Sequence, residues 1–193
     1  MVTAQFLNVG GAEVSLSSLK PAGNTDDYAV EIQLLDRGGY TIDDQDYIWV
    51  GGEWCDIDEN PITEDVTFAP GQALWVFADD SSTGLQSAGK VGTSDIAVQL
   101  RSGAMGVGNP FPVSVSLQDL LPVGNTDDYC VEIQVLDRGG YTIDEQDYIW
   151  VGGEWCDIDE NPITETVTFA PGEGLWVFAD NDSQYLRFPA PEL

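Results

Sequence analysis

Apolar and polar residues alternate along most of the chain, which is typical of β-strands with one buried face. One face of the segment 28–35 carries only apolar side chains, namely Tyr28, Val30, Ile32 and Leu34. Glu31 and Gln33 belong to the opposite face. The same alternation occurs at 96–100 and at 113–117. These segments are therefore predicted to be strands.

Shorter apolar runs at 47–50, 66–69 and 73–78 are predicted to be further strands. Turn-forming pairs such as Gly51-Gly52 and Asn60-Pro61 separate them. A helical stripe longer than two turns is not found. The pattern predicts an all-β protein built from antiparallel sheets, as a β-sandwich or a small barrel.

An internal repeat dominates the sequence. Residues 21–79 recur at 122–180, displaced by 101 positions, with 52 of 59 residues identical. A period of about one hundred residues is the size of a small domain and longer than a solenoid repeat. We therefore predict two tandem β-domains, at 1–92 and 93–193, which we call the first and second copies.

One hairpin can be derived in detail. Gly51 and Gly52 form a two-residue loop between two apolar runs, which favours a tight primed turn. This loop would pair Val50 with Glu53 and place Trp49 opposite Trp54. The second copy repeats the arrangement at 148–157.

The hairpin aromatics are candidate binding residues. Tryptophan and tyrosine faces beside carboxylates are common in carbohydrate sites, and two copies would add avidity for a repeating ligand. The alternative is that these side chains form the core. The candidates are Tyr47, Trp49, Trp54, Tyr148, Trp150 and Trp155.

A cation site is the second candidate. Alternate oxygen-bearing side chains can wrap Ca²⁺ in a loop. The ligands would be Asp56, Asp58 and Asn60, and in the second copy Asp157, Asp159 and Asn161. Pro61 stands where an EF-hand requires glycine, so a solvated acidic turn is the alternative. No other cofactor is predicted.

Charge and composition exclude several functions. The chain has 34 acidic and 6 basic residues, a net charge of −28, and no histidine. This charge disfavours nucleic acid and anionic membranes as partners. Histidine-dependent catalysis is excluded. Cys55, Cys130 and Cys156 form no close pair in sequence and are predicted to be buried thiols. We expect a protein that is not an enzyme.

The strand predicted at 95–100 occurs once, although there are two copies. Its first-copy equivalent would precede residue 1. One copy would therefore lack a strand and expose a sheet edge, which can pair with another chain. Homo-oligomerisation through this edge is one expectation. The alternative is that a loop or the segment 2–6 covers it.

Three motifs carry a resemblance to a known kind of module. They are GNPFP at 108–112, YIWVGGEWCD at 148–157 and APGEGLWVF at 170–178. Together they resemble a β-module found in tandem in bacterial surface and secreted proteins and in bacteriophage virion proteins. The resemblance implies a structural or attachment role and no catalytic residues. The first copy lacks the GNPFP opening.

The setting follows from the resemblance and the N-terminus. Residues 1–11 have neither a basic region nor a long apolar region, so they are not predicted to be a signal peptide. We expect a virion structural protein, a capsid decoration or fibre component, whose partners are structural proteins of the assembly. The alternative is a carbohydrate-binding or adhesive module at the bacterial cell surface or outside the cell.

Overall fold

The fold is all-β, as the alternation predicts. The computed structural model describes residues 2–4, 13–35, 41–68, 74–80, 82–86, 93–137, 141–171 and 173–190. Within these ranges every pairing between strands is antiparallel. The helical structure there is confined to two 3₁₀ turns, Leu16–Ser18 and Leu117–Asp119. None of the described helical segments has the length and apolar character needed to cross a membrane.

The strands of the first copy are short, apart from two. They are β1 Val2–Ala4, β2 Val14–Ser15, β3 Lys20–Ala22, β4 Val30–Leu35, β5 Thr41–Val50, β6 Glu53–Cys55, β7 Thr67–Phe68, β8 Leu74–Ala78 and β9 Gly84–Gln86. Five of them form one sheet in the order β1-β8-β4-β5-β6. The pairs β2-β7 and β3-β9 form two small sheets.

The second copy repeats this arrangement and adds to it. Its strands are β10 Ile96–Gln99, β11 Gly103–Gly108, β12 Val115–Ser116, β13 Leu121–Val123, β14 Val131–Leu136, β15 Thr142–Val151, β16 Glu154–Cys156, β17 Thr168–Phe169, β18 Gly174–Ala179 and β19 Tyr185–Phe188. The large sheet has the order β11-β18-β14-β15-β16, and β12 pairs with β17. The third sheet has three strands, β10-β19-β13.

Alternation along the strands places a core between the large sheet and the small ones. In β14 the side chains of Val131, Ile133 and Val135 are buried, whereas those of Glu132 and Gln134 are only partly so. The small sheets contribute further buried residues to the same cluster, among them Val98, Val115, Phe169, Leu186 and Phe188. This is a sandwich arrangement, one of the two architectures that the sequence predicts.

The buried residues of each core belong to a single copy. The first cluster runs from Val14 to Val76, with Leu85 packed against it. The second cluster runs from Val98 to Phe188. Every described strand pairing also joins strands of the same copy. These observations are consistent with the predicted boundary near residue 92, and the division into two domains stays a prediction.

The detailed hairpin prediction is confirmed. The Gly51-Gly52 loop pairs Val50 with Glu53 and Trp49 with Trp54. Both glycines have positive φ, +62° and +86°, as a type I′ turn requires. The second copy has the same register around Gly152 and Gly153.

The strand predicted at 113–117 is largely wrong. Only Val115–Ser116 is a strand, and Val113 is exposed. The hydroxyl of Ser116 accepts a hydrogen bond from the backbone N–H of Gln118. Such a local bond turns the chain into the 3₁₀ turn instead of continuing the strand. Leu117 is still buried, which is why the alternation looked complete.

The single strand at 95–100 belongs to the second copy. β10 pairs with β19 along its whole length. In the first copy, β9 pairs with β3, and on its other side no described strand is present. Val2–Ala4 does not cover that edge, because β1 pairs with β8 in the large sheet. The remaining residues of the N-terminal segment, 5 and 6, lie outside the described part.

Candidate functional site

The tryptophans of the hairpin are core residues. Between 5% and 8% of the surface of Trp49 and Trp54 is exposed, and their rings meet edge to face at 5.3 Å between centroids. Trp150 and Trp155 pack in the same way. Such a pair contributes about 0.5–1.5 kcal/mol beyond its burial. The sequence left open whether these rings are core or surface, and the structure places them in the core.

One tryptophan of each pair also fixes a neighbouring turn. The indole N–H of Trp54 donates to the backbone carbonyl of Leu19 at 2.9 Å, directly after the 3₁₀ turn. Trp155 makes the equivalent bond to Leu120 at 2.8 Å. These tryptophans therefore connect the hairpin to the opposite side of the core.

The two candidate tyrosines are buried as well. Tyr47 and Tyr148 face the core from β5 and β15, and burial raises the pKa of both phenols. None of the six candidate aromatic rings therefore presents a face to solvent. A ligand that stacks on an aromatic ring would have to use other residues.

The candidate cation ligands form an acidic turn held by its own hydrogen bonds. One carboxylate oxygen of Asp56 accepts the backbone N–H groups of Asp58 and Asn60, at 2.9 and 2.8 Å. The side-chain amide of Asn60 also donates to Asp56. These bonds hold the pKa of Asp56 below its usual range. The bonds that Asp157 accepts from Asn161 lower its pKa in the same way.

This geometry favours the solvated acidic turn over the cation site. The carboxylate of Asp56, the first of the three candidate ligands, already accepts several hydrogen bonds. No group of three or more acidic or thiol side chains in the described ranges is placed to hold a metal ion.

The thiols are buried and weakly acidic. Cys55, Cys130 and Cys156 are all free and buried, as predicted. Burial raises the pKa of Cys130 to about 11, and it raises the pKa of the other two. A thiol with a pKa this high is protonated at neutral pH and is a poor nucleophile.

Three loops meet at one end of the first copy. The backbone N–H of Gly51 donates to the carboxylate of Asp27 at 2.7 Å, which joins the hairpin loop to the loop before β4. The hydroxyl of Tyr28 donates to Glu59 in the acidic turn at 2.5 Å. The backbone N–H of Tyr28 donates to the carbonyl of Trp49 at 2.7 Å. The loops are thus fixed to one another and to the sheet.

The side chains at this end are exposed although they are large and apolar. About half of Tyr28 (55%) and most of Ile57 (63%) are accessible to solvent. The second copy has the same exposure at Tyr129 (52%) and Ile158 (66%). We call this surface the tyrosine end. It comprises Asp27, Tyr28, Ile57 and Glu59 in the first copy, and Asp128, Tyr129, Ile158 and Glu160 in the second.

The backbone of the tyrosine end is strained in both copies. Tyr28 and Tyr129 both have φ of +62°, and Glu59 and Glu160 have φ of +62° and +63°. A bulky residue other than glycine rarely adopts this left-handed conformation. The Tyr129–Glu160 bond, at 2.7 Å, repeats that of the first copy. Both copies therefore have the same backbone conformation and the same tyrosine–glutamate hydrogen bond at this end.

The tyrosine end is not predicted by the sequence pattern. Tyr28 fits the alternation that continues through Val30 and Ile32, which predicts that it lies on the buried face of a strand. The strand begins only at Val30, so Tyr28 is outside the sheet. The acidic loop 24–27 before it was the available signal, because turn residues there predict that the chain has not yet entered a strand.

Compared with known proteins, the sequence matches no family model, and no curated protein is significantly similar to it.

Proposed function

We propose that this is a non-enzymatic structural protein that binds another structural protein through its two tyrosine ends. The observation that carries the proposal is the duplication of an exposed tyrosine and isoleucine on a fixed backbone. Residues that serve only folding need not expose two large apolar side chains at the same place in both copies.

The chemistry of the tyrosine end suits a protein partner. Interface residues that dominate binding energy are enriched in tyrosine and are often surrounded by polar groups. Tyr28 and its hydrogen bond to Glu59 present such a residue in one orientation, so little side-chain entropy is lost on binding. Ile57 adds apolar area from the same turn as Glu59.

Charge indicates what the partner surface looks like. Asp27 and Glu59 lie on the tyrosine end, and the whole chain has a net charge of −28. A complementary surface would be basic around an apolar pocket. Opposite charges of this size accelerate association and make it sensitive to salt.

Two features support a binding role over catalysis. The duplicated segments are 52/59 identical, and two equal surfaces suit repeated attachment. The buried thiols have raised pKa values, and the chain has no histidine. The role we propose is therefore attachment within an assembly.

The setting we propose is a virion, as a capsid decoration or fibre component, with a bacterial or extracellular surface as the alternative. The support is the resemblance of the three motifs at 108–112, 148–157 and 170–178 to tandem modules of such proteins. In the first of these motifs Asn109 is buried and binds the carbonyls of Val113 and Phe169, which indicates a structural role for that motif.

Co-sedimentation with purified particles of the virus to which we assign the chain tests the proposal. We expect the chain to sediment with particles and to dissociate as salt is raised. The double variant Tyr28→Ser/Tyr129→Ser should lose binding by on the order of tenfold or more. Tyr141→Ser is the matched control, because Tyr141 is exposed but lies outside the tyrosine ends. Equal binding by the control and the double variant would contradict the proposal.

Carbohydrate binding is the second candidate, and the exposed phenol rings of Tyr28 and Tyr129 beside carboxylates favour it. A glycan array probed with the chain and with the same double variant distinguishes the two. If the chain binds defined glycans and the double variant does not, the ligand of the tyrosine ends is a sugar and not a protein. Binding to none would leave the protein partner as the proposal.

A further inference from the structure

The large sheet of the second copy has one side that points away from the core. Along β18, Leu175, Val177 and Ala179 are buried, whereas the alternate residues Trp176 and Phe178 are partly exposed. Successive side chains of a strand point to opposite sides of the sheet. The two rings therefore lie on the side opposite the core, where neither contributes to the buried cluster.

The strand register gives each ring polar neighbours. Directly opposite residues of an antiparallel pair have Cβ atoms about 5 Å apart and share one side of the sheet. Two such rows cross β18, β14 and β15, namely Trp176, Gln134 and Asp147 in one, and Phe178, Glu132 and Ile149 in the other. All six residues are partly exposed. We call these six residues the outer face.

The charged residues of this sheet are all acidic. The strands β11, β18, β14, β15 and β16 contain five acidic residues and neither lysine nor arginine. The basic residues that the structure describes, Lys20, Arg101 and Arg187, lie outside these strands. A ligand that complements the outer face is therefore cationic.

The two carboxylates of the outer face differ in their surroundings. The side-chain amide of Gln134 donates to Glu132 at 2.9 Å, which orients this carboxylate between the two rows. One carboxylate oxygen of Asp147 is buried and has no hydrogen-bond partner among the described residues. Burial and the charge of Asp144 raise the pKa of Asp147. Positive charge nearby would stabilise both carboxylates.

Arginine is the cation that suits both the rings and the carboxylates. Its planar guanidinium stacks on aromatic faces and also pairs with carboxylates, whereas the lysine ammonium lacks the planar group. Trp176 and Phe178 are two residues apart on one strand, a distance of about 7 Å. An extended peptide repeats its side chains at the same interval, so arginines at alternate positions match the two rings.

We propose that the outer face binds an extended segment of a partner protein that carries arginines at alternate positions. The guanidinium groups stack on Trp176 and Phe178 and pair with the carboxylates of Glu132 and Asp147. The outer face shares no residue with the tyrosine ends. The proposal therefore goes beyond the function proposed above and does not depend on it.

The first copy contains the same two rows of residue types. They are Trp75, Gln33 and Asp46, and Phe77, Glu31 and Ile48. The side-chain amide of Gln33 likewise donates to Glu31 at 2.9 Å. A readout specific to Trp176 is therefore needed to keep the two copies apart.

Fluorine NMR of the full chain labelled with 5-fluorotryptophan supplies that readout, with the Trp176 resonance assigned from the variant Trp176→Phe. The probe is a capped peptide of the sequence Ser-Arg-Ser-Arg-Ser. Its titration should move the Trp176 resonance until the site is saturated. A chain whose Trp176 resonance does not respond to the peptide would overturn the proposal.

Two control peptides separate charge from stacking. Citrulline in place of arginine keeps the planar group and removes the charge, and should bind on the order of tenfold more weakly. Lysine in place of arginine keeps the charge and removes the planar group, and should bind about threefold more weakly. An affinity for either control equal to that for the arginine peptide would mean that the assigned chemistry is wrong.

A matched pair of variants tests the carboxylate. Glu132→Gln should weaken binding of the arginine peptide about threefold, and its side-chain oxygen still accepts the amide of Gln134. Glu165→Gln removes the same charge from an exposed residue outside the large sheet and should leave the affinity unchanged. Equal losses in the two variants would show attraction to the net charge alone and overturn the proposal. Tyr129→Ser should bind the peptide as the wild type does, which separates this result from any result on the tyrosine ends.

A neutral sugar is the competing occupant, because sugars also stack on tryptophan. Maltohexaose is the probe for it, and the proposal predicts no change in the Trp176 resonance. A saturable response to maltohexaose, with none to the arginine peptide, would assign the outer face to carbohydrate and overturn the proposal.

Discussion

The two copies have equivalent cores but differ in the strands that flank them. Both have the large five-stranded sheet, the paired tryptophans and the tyrosine end, with equivalent bonds agreeing within 0.2 Å. Among the described strands, β10 pairs with the outer side of β19 in the second copy, and none pairs with the equivalent side of β9 in the first. The 59-residue repeat contains four of the five strands of each large sheet and the tyrosine end, whereas β10 lies in the flanking residues outside the repeat.

The loop before the third sheet differs in chemistry as well. In the second copy, buried Gln184 donates to the carbonyl of Cys130 and accepts from the N–H of Asn181. In the first copy, Thr83 donates instead to the carboxylate of Asp79, and Asp80 takes the place of Asn181. An uncharged buried amide thus holds one loop, while carboxylates hold the other.

The largest expected difference concerns the leucines of the third sheet. Leu186→Ala should lower the free energy of unfolding of the second copy by about 2–5 kcal/mol, because a fully buried leucine leaves a cavity. Leu85→Ala should cost the first copy only about 1 kcal/mol, since the side chain is already partly exposed. Urea titration followed by ¹⁹F NMR of fluorotryptophan resolves the copies. Equal losses would show that Leu85 is covered as completely as Leu186.

A smaller loss is expected at Asn109. Its side chain donates to the carbonyls of Val113 and Phe169 and accepts from the N–H of Phe111. Asn109→Ala should therefore destabilise the second copy by about 1–3 kcal/mol, because buried polar groups lose their partners. The same urea titration measures this, with the exposed residue Ser114→Ala as the control. An Asn109→Ala variant as stable as the control would show that the GNPFP segment does not support the core.

The smallest effect is a difference in acid sensitivity. Hydrogen bonds from the Ser82 hydroxyl and backbone hold the pKa of Asp80 below its usual value of 3.8. A lowered pKa in the folded state contributes stability above the unfolded pKa, and this contribution is lost as pH falls through the folded value. Asn181 does not titrate. Below about pH 4, the first copy should therefore lose more stability in the wild type than in the Asp80→Asn variant.

Urea midpoints at pH 5 and pH 3 measure this difference. Asp56 in the first copy and Asp157 in the second both have a lowered pKa, so their contributions to the comparison largely cancel. If the urea midpoint changes by the same amount in the wild type and in the Asp80→Asn variant, the hydrogen bonds of this loop do not depend on the Asp80 carboxylate.

Much of the fold could be predicted from local pattern. Alternation and the Gly-Gly loop were enough for the all-β class and for the pairing of Trp49 with Trp54, because both depend on neighbouring residues. The start of β5 was missed, since the polar residues between 43 and 46 concealed a strand that runs from Thr41.

The site was harder to predict than the fold. Burial of the tryptophans and exposure of Tyr28 depend on contacts between residues about 30 positions apart, such as Tyr28 with Glu59 and Trp54 with Leu19. Composition shows which residues are aromatic, but it does not show which of them face solvent. The choice of β19 over β9 as the partner of β10 likewise depends on packing around Leu186 and Phe188.

Residue-resolved amide hydrogen exchange at Leu85 and Leu186 tests the central comparison most directly. The account predicts that the amide of Leu186 is protected by the pairing of β19 with β10, and that the amide of Leu85 exchanges much faster, because no described strand pairs with that side of β9. Equal protection of the two amides would contradict the account, because it would mean that the third sheet of the first copy is also closed.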